Sequence, residues 1–308
     1  MSSIPKQLAT FAAVLAVLFA GGAVAGQLID ADAPHGGDAK ASGHGTEQSH
    51  GEEAKMASTS HGSERSEAAP EVHGLAVADG GLRVVVDEPE LRRGKSATLA
   101  FRIVEASGDA VRDFDVTHDK RMHLILARRD LTGFQHLHPE MATDGTWSTE
   151  VTLPEAGSYR LFADFSHEQD AITLATDLRV DGSADLVDLP VSEPTAVSDG
   201  GYDVRLDAAG AKAGKESELR FSITRDGQAV RTEPYLGAGG HLVALREGDL
   251  AFLHVHPIED GEHGETSEHD DGVGFAATFP TEGRYRLFLQ FKHAGRVQTV
   301  AFTQEVAL

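Results

Sequence analysis

Histidines recur in this chain at one repeated spacing. His123 is followed thirteen residues on by His136 and then by His138, and His241 is followed in the same way by His254 and His256. Each set closes on a proline, Pro139 or Pro257, and each opens on an apolar run, residues 124–127 or 242–245. Neutral imidazole is a common metal ligand, and sites rich in nitrogen and poor in sulfur suit Cu(II), Zn(II) or Ni(II). His118 and Met122 lie beside the first set, and a thioether there extends the site towards Cu(I). His167 and His293 each end a later strand and are available as fourth ligands. The candidate metal ligands are therefore Met122, His118, His123, His136, His138 and His167 in the first copy, with His241, His254, His256 and His293 in the second. Copper or zinc is the expected ion, one in each copy. Gly240 stands where the first copy has Met122, and nothing matches His118, so the first copy is the expected tighter copper site.

Other chemistries fit less well. Three histidines with an open position also describe catalytic zinc, which leaves a metal hydrolase as one alternative. No H-E-x-x-H or other hydrolase signature accompanies the histidines, so no catalytic residue and no enzyme is expected. Glu140, Asp144, Glu259 and Asp260 lie near the two sets and read as solvated loop charges or as hydrogen-bond partners of the ligands. The other alternative is a non-enzymatic cell-envelope scaffold in which the histidines bond one another and the backbone. The chain has no Cys, which excludes disulfides, thiolate metal sites, iron–sulfur clusters and blue copper centres. Its net charge of −22 disfavours nucleic acid and attracts cations.

Histidines thirteen apart need an element to bring them together, and a hairpin does so. With a turn centred near Asp130, His123 lies opposite or diagonal to His136 and His138. Near Gly248 and Asp249 the same holds for His241, His254 and His256. Residues two apart share a strand face, and opposed Cβ atoms sit about 5 Å apart. By the same parity Tyr159, Leu161, Ala163, Phe165 and His167 share a face, as do Tyr285, Leu287, Leu289, Phe291 and His293.

From Gly74 on, apolar stretches of four to eight residues alternate with Gly, Pro and Asp turns, and no stretch shows a helical apolar stripe. That pattern predicts an all-β fold of antiparallel sandwiches. The pattern also repeats: Gly94-Lys95 matches Gly214-Lys215, and Leu99-x-Phe101 matches Leu219-x-Phe221. Pro154-x-x-Gly157-x-Tyr159 matches Pro280-x-x-Gly283-x-Tyr285 and reads as a tyrosine corner in each copy. Trp147 reads as core. An acidic insertion with two histidines, residues 262–271, distinguishes the second copy. The expected domains are 74–181 and 200–308, joined by a linker over 182–199.

The segment before them has two parts. Residues 8–26 are apolar or small apart from Thr10, with an A-x-A pattern at residues 23–25. Residues 1–26 are thus a signal peptide or a single membrane anchor helix, and both readings export the remainder. Residues 27–73 are rich in Gly, Ser, Glu and His without apolar period, which predicts a disordered linker. The expected partners are metal ions and, through the N-terminal segment, the membrane.

Met122-His123-Leu124, Asp130-Leu131, Phe134-x-His136-x-His138-Pro139 and the Pro154-x-x-Gly157-x-Tyr159 corner together resemble exported bacterial proteins with YtkA-like or cupredoxin-like, Ig-like β-sandwich modules. The resemblance covers roughly residues 75–307. It implies two tandem sandwiches in the cell envelope and a part in copper or other heavy-metal handling.

Overall fold

The computed structural model of the chain describes residues 72–308 apart from Ala209, His254 and residues 259–271. Among these residues the apolar runs form strands and no helix occurs. Each repeat is a sandwich. In the first, one sheet runs in the order Ala78–Asp79, Leu82–Val86, Ser96–Glu105, Trp147–Thr152, Glu140–Met141. The facing sheet runs Glu90–Leu91, Asp170–Val180, Gly157–His167, His123–Arg128, Gln135–Leu137. In the second sandwich one sheet runs Thr195–Val197, Asp203–Asp207, Glu216–Arg225, Val273–Thr278, Val255–Pro257, with Gln228–Ala229 beside Glu216–Arg225. Its facing sheet runs Phe252–Leu253, His241–Arg246, Gly283–His293, Arg296–Val306. The strands pair antiparallel, except that Glu90–Leu91 lies parallel to the end of Asp170–Val180. Thr195–Val197 falls in the expected linker and pairs with Asp203–Asp207, so the second sandwich begins earlier than its turn pattern suggests.

Alternation explains each core. Leu99, Phe101 and Ile103 meet Leu124, Leu126, Tyr159, Leu161 and Phe165 between the sheets of the first sandwich. Leu219, Phe221 and Ile223 meet Leu242, Ala244, Tyr285, Leu287 and Phe291 in the second. Trp147 lies in the first core, edge-on to Phe114 at 5.1 Å. The tyrosine corners form as the sequence predicts: Tyr159 Oη donates to Glu155 O at 3.1 Å and Tyr285 Oη to Thr281 O at 2.9 Å.

A third apolar cluster joins the sandwiches. Ile125, Ala127, Leu131 and Phe162 of the first pack with Val243, Leu245, Leu250, Phe252 and Phe288 of the second. Phe134 stacks on Phe288 with centroids 4.0 Å apart and planes 7° from parallel. The His123–Arg128 strand is consequently buried along its whole length. A strand buried on both faces reads as a continuous apolar run rather than an alternating one, and His-Leu-Ile-Leu-Ala and His-Leu-Val-Ala-Leu are such runs. The segment leading into the first sandwich crosses this seam: Phe252 N donates to His73 O at 3.0 Å and Gly74 N to Thr173 O at 3.3 Å. Gly74 has φ +67°, and a Cβ there would stand 2.8 Å from both Phe162 Cδ1 and Phe252 Cβ. Only glycine threads that gap.

Candidate metal centre

Strand register places the histidines. Leu124 pairs with Leu137, Ile125 with His136 and Leu126 with Gln135. Carried one step further, that register sets His123 opposite His138 and diagonal to His136, the hairpin that their spacing predicts. The turn is tied by Asp130, whose carboxylate accepts from Thr132 N at 3.2 Å and Arg128 Nη1 at 2.9 Å. The pleat then divides the side chains. Met122, Leu124 and Leu126 point into the core of the first sandwich, while Ile125 and Ala127 meet the second. His123 has the parity of Ile125, and His136 and His138 have the parity of Phe134, so all three face the second sandwich.

His241 comes to meet them. It pairs with Gln290 as His123 pairs with Asp164, so the two repeats present equivalent strand ends across the seam. The result is one cluster built from both sandwiches instead of one in each. One ring nitrogen from each of His123, His136 and His241 lies within 4.8 Å of the other two, close enough to share a metal ion. The His136 ring is 5.2 Å from His123 and 4.8 Å from His241 between centroids. The His138 ring lies 5.1 Å from His123 and 4.8 Å from His136, and its Nε2 is buried with no hydrogen-bond partner among the described residues. His118, on a tight turn at φ 50°, comes within 6.0 Å of His123 and 5.7 Å of His241.

Hydrogen bonds orient two of these rings. His123 Nε2 donates to Thr117 O at 3.1 Å, and His136 Nδ1 donates to Gln290 Oε1 at 2.7 Å. Both acceptors are carbonyl oxygens, so a neutral ring spends its single N–H on each. The remaining nitrogens, His123 Nδ1 and His136 Nε2, lie 3.0 Å apart, and with Gln290 Oε1 as the acceptor each presents a lone pair to the other. Burial, and then the neighbouring histidines His241, His123 and His138, hold His136 well below the usual imidazole range. Burial likewise lowers His123, and burial with the charges of His123 and Lys120 brings His138 to about 4. His123, His136 and His138 are therefore held as neutral rings at neutral pH.

The other candidates lie elsewhere, and parity gives the reason. Met122 is buried in the first core, with its strand face turned from His123. His167 and His293 share parity with the core-facing tyrosines of their strands. His167 Nδ1 donates to Asp113 O at 2.8 Å, and His293 Nδ1 bonds Tyr202 Oη at 2.8 Å. His256 is exposed on Val255–Pro257, which has crossed into the other sheet and pairs with Val273–Thr278. The second hairpin thus breaks where the first continues, and the expected second cluster is not assembled from the described residues. His254 lies outside the described residues, as do Glu259, Asp260 and the 262–271 insertion. So do the anchor at 1–26 and almost all of the 27–73 linker. Among the described residues no helix is long and apolar enough to cross a membrane. Glu140 is exposed, and Asp144 accepts from Thr146 N at 2.9 Å in its own loop.

Three polar residues of the site escaped the sequence reading: Thr117, Asp164 and Gln290. Asp164 and Gln290 are equivalent in the two repeats, and each bonds an equivalent threonine. Thr173 Oγ1 donates to Asp164 Oδ1 at 2.7 Å, and Gln290 Nε2 donates to Thr299 Oγ1 at 3.1 Å. Burial raises the Asp164 carboxyl above its usual range. The signal was present as a single polar residue inside each apolar strand, Leu-Phe-Ala-Asp-Phe and Leu-Phe-Leu-Gln-Phe.

A family model described as a domain of unknown function (DUF8832) matches residues 76–182 and again residues 195–307. No curated protein matches the chain by sequence. Among solved structures, the adhesin FdeC of Escherichia coli is similar over 76% of this chain and 66% of its own, at 15% identity and a TM-score of 0.23. Salmonella alpha-2-macroglobulin is similar over 78% of this chain and 15% of its own, at 14% identity and 0.26. Surface layer protein SbsC, domains 4–9, is similar over 73% and 31%, at 12% identity and 0.21. The chain thus spans less than two thirds of each of these structures.

Proposed function

We propose a function for this chain, which belongs to the family of domains of unknown function DUF8832 and carries two copies of that domain: an extracytoplasmic, non-enzymatic protein that holds one Cu(II) or Zn(II) ion between its two sandwiches. His123 and His136 from the first and His241 from the second are the proposed ligands, with His118 and His138 as further nitrogens at hand. The observation that carries this reading is the 3.0 Å approach of His123 Nδ1 and His136 Nε2 with a carbonyl oxygen at the outer nitrogen of each ring, an arrangement that leaves two lone pairs facing each other. Such a pair needs a positive species between it. A proton would make one ring an imidazolium, which burial and the neighbouring rings disfavour. A divalent ion about 2 Å from each nitrogen satisfies both, since tetrahedral ligation spaces nitrogens by about 3.3 Å. The three nitrogens, all within 4.8 Å of one another, draw together by up to about 1.5 Å to reach that spacing. Outer-ring hydrogen bonds of this kind fix the tautomer and orientation of metal-bound histidines. Within 4.8 Å the group contains no carboxylate among the described residues, which weighs against the hydrolase alternative. The apolar run at residues 8–26 supports export.

The test is a titration of the full chain with Cu(II) and with Zn(II), followed by calorimetry. His136→Ala and His241→Ala are each expected to remove the same single tight equivalent. Two equal tight equivalents, or tight binding that survives both substitutions, would refute the shared site.

One observation favours a second reading, a two-domain scaffold with structural histidines. Gln290 Nε2 also reaches Thr299 Oγ1 at 3.1 Å. With the amide turned over, a neutral hydrogen-bond chain would run from Thr299 through Gln290, His136 and His123 to Thr117. On that reading chelator leaves the melting temperature unchanged, and His136→Ala lowers it equally with and without chelator.

A further inference from the structure

The first sandwich supplies two of the proposed ligands, yet the group that orients one of them belongs to the second. Gln290 is 6% exposed and sits on Gly283–His293, directly opposite His241 in the register. One face of the second sandwich therefore brings both the proposed third ligand and the carbonyl that meets His136. Two features hold that carbonyl in place. Gln290 Nε2 donates to Thr299 Oγ1 at 3.1 Å, which tethers the amide beside His136 with Oε1 2.7 Å from His136 Nδ1. The Phe134–Phe288 stack, at 4.0 Å, lies two residues before His136 on one strand and two before Gln290 on the other. It sets the separation of those strands next to the hydrogen bond.

The neighbouring glycine packs closely within the second sandwich. A Cβ at Gly240 would stand 3.0 Å from Gln290 O and 3.3 Å from Val273 Cγ1. A side chain there would press on the Gln290 backbone, at the position where the first repeat carries Met122. The equivalent residue of the first repeat, Asp164, turns to its own Thr173, and no bond from it across the seam appears among the described residues. The duplicated polar pair has diverged into one that stays within its sandwich and one that crosses.

We infer that Gln290 is a positioning residue through which the second sandwich sets the ligating tautomer of the first. By accepting from His136 Nδ1 it leaves Nε2 as a lone pair facing His123 Nδ1. This inference rests on the metal-binding reading above. It goes beyond that reading by assigning the chemical state of the site to a residue that touches no metal.

The experiment uses the full chain with Gln290→Glu and Gln290→Leu. Glutamate is nearly isosteric and only accepts at neutral pH; leucine fills similar volume and cannot accept. Zn(II) affinity is expected to fall roughly 10- to 100-fold in Gln290→Leu, the usual range for losing such a partner. It is expected to be retained or tightened in Gln290→Glu. In metal-free wild-type protein, nitrogen-15 spectra are expected to show the His136 proton on Nδ1, and on Nε2 in Gln290→Leu. A wild-type His136 protonated on Nε2, a Leu variant that binds as wild type, or a Glu variant as weak as the Leu variant would each overturn the inference. Failure of the metal reading itself shows differently, as a wild type that loses no equivalent on His136→Ala.

Discussion

Phe288→Ala probes the seam on which the shared site depends. Phe288 is 3% exposed and stacks on Phe134 at 4.0 Å, in the apolar cluster that joins the sandwiches. Truncating a buried Phe costs about 3–5 kcal/mol from lost transfer and the cavity left behind. Of this, the ring pair accounts for about 0.5–1.5 kcal/mol. For a folded unit of this size, 1 kcal/mol shifts the melting temperature by roughly 2–4 °C, so the expected drop is roughly 6–20 °C. The loss falls on the contact between two bodies that each keep their own core, so the calorimetric transition is also expected to broaden or split. Differential scanning calorimetry in chelator reads both effects without a bound ion masking them. The double substitution with Phe134→Ala is expected to be less than additive by about 0.5–1.5 kcal/mol, the coupling of a direct ring pair. Because Phe288 is two residues from Gln290, metal affinity is expected to fall together with stability. A shift below about 2 °C with one unchanged transition would show that the sandwiches are not joined through this face.

Three further outcomes follow from other parts of the molecule. First, His138, His123 and His136 are held below the ordinary imidazole range in the folded chain, mainly by burial, His138 at about 4. As pH falls from about 6.5, the unfolded chain takes up protons that the native rings refuse, so stability falls through that window towards about pH 4. Asp164, raised by burial, acts in the opposite direction but is one group against three. Urea midpoints measured in chelator are expected to decrease from pH 7.5 to 4.5, and a rising midpoint would contradict the burial of the rings. Second, Arg128→Ala strands Asp130, since the two side chains of this ion pair are 4% and 3% exposed. The expected cost in denaturant unfolding is about 3–5 kcal/mol. The matching change Arg246→Ala, whose partner Asp249 is 41% exposed, is expected to cost about 1 kcal/mol or less. Equal costs would refute the asymmetry. Third, Gly74→Ala combines a left-handed backbone with contacts of 2.8 Å to two phenylalanines and is expected to cost at least about 2 kcal/mol. Gly80→Ala, which meets nothing within 4 Å, is expected to cost about 1–2 kcal/mol from backbone strain alone, and thermal melts compare the two.

The hairpin, the two sandwiches and the tyrosine corners were legible in the sequence because each depends on local spacing. Thirteen residues around a turn fix which histidines oppose one another, and period-two alternation fixes which face they share. Alternation also excluded Met122, His167 and His293 from the site, once it was known which face was core. That knowledge was the missing piece. The runs at 124–127 and 242–245 are apolar on both strand faces, which signals burial on both sides, but two independent sandwiches did not require it. Only the tertiary structure turned the outer faces of the two central sheets against each other. Docking made one cluster from His123, His136 and His241, and it brought Gln290 to His136 across 154 residues of chain. Strand register is a local property and can be counted along the chain. Which faces associate is decided by the complementarity of two folded surfaces, here the Phe134–Phe288 stack and the apolar patch around it, and no spacing within one repeat encodes it.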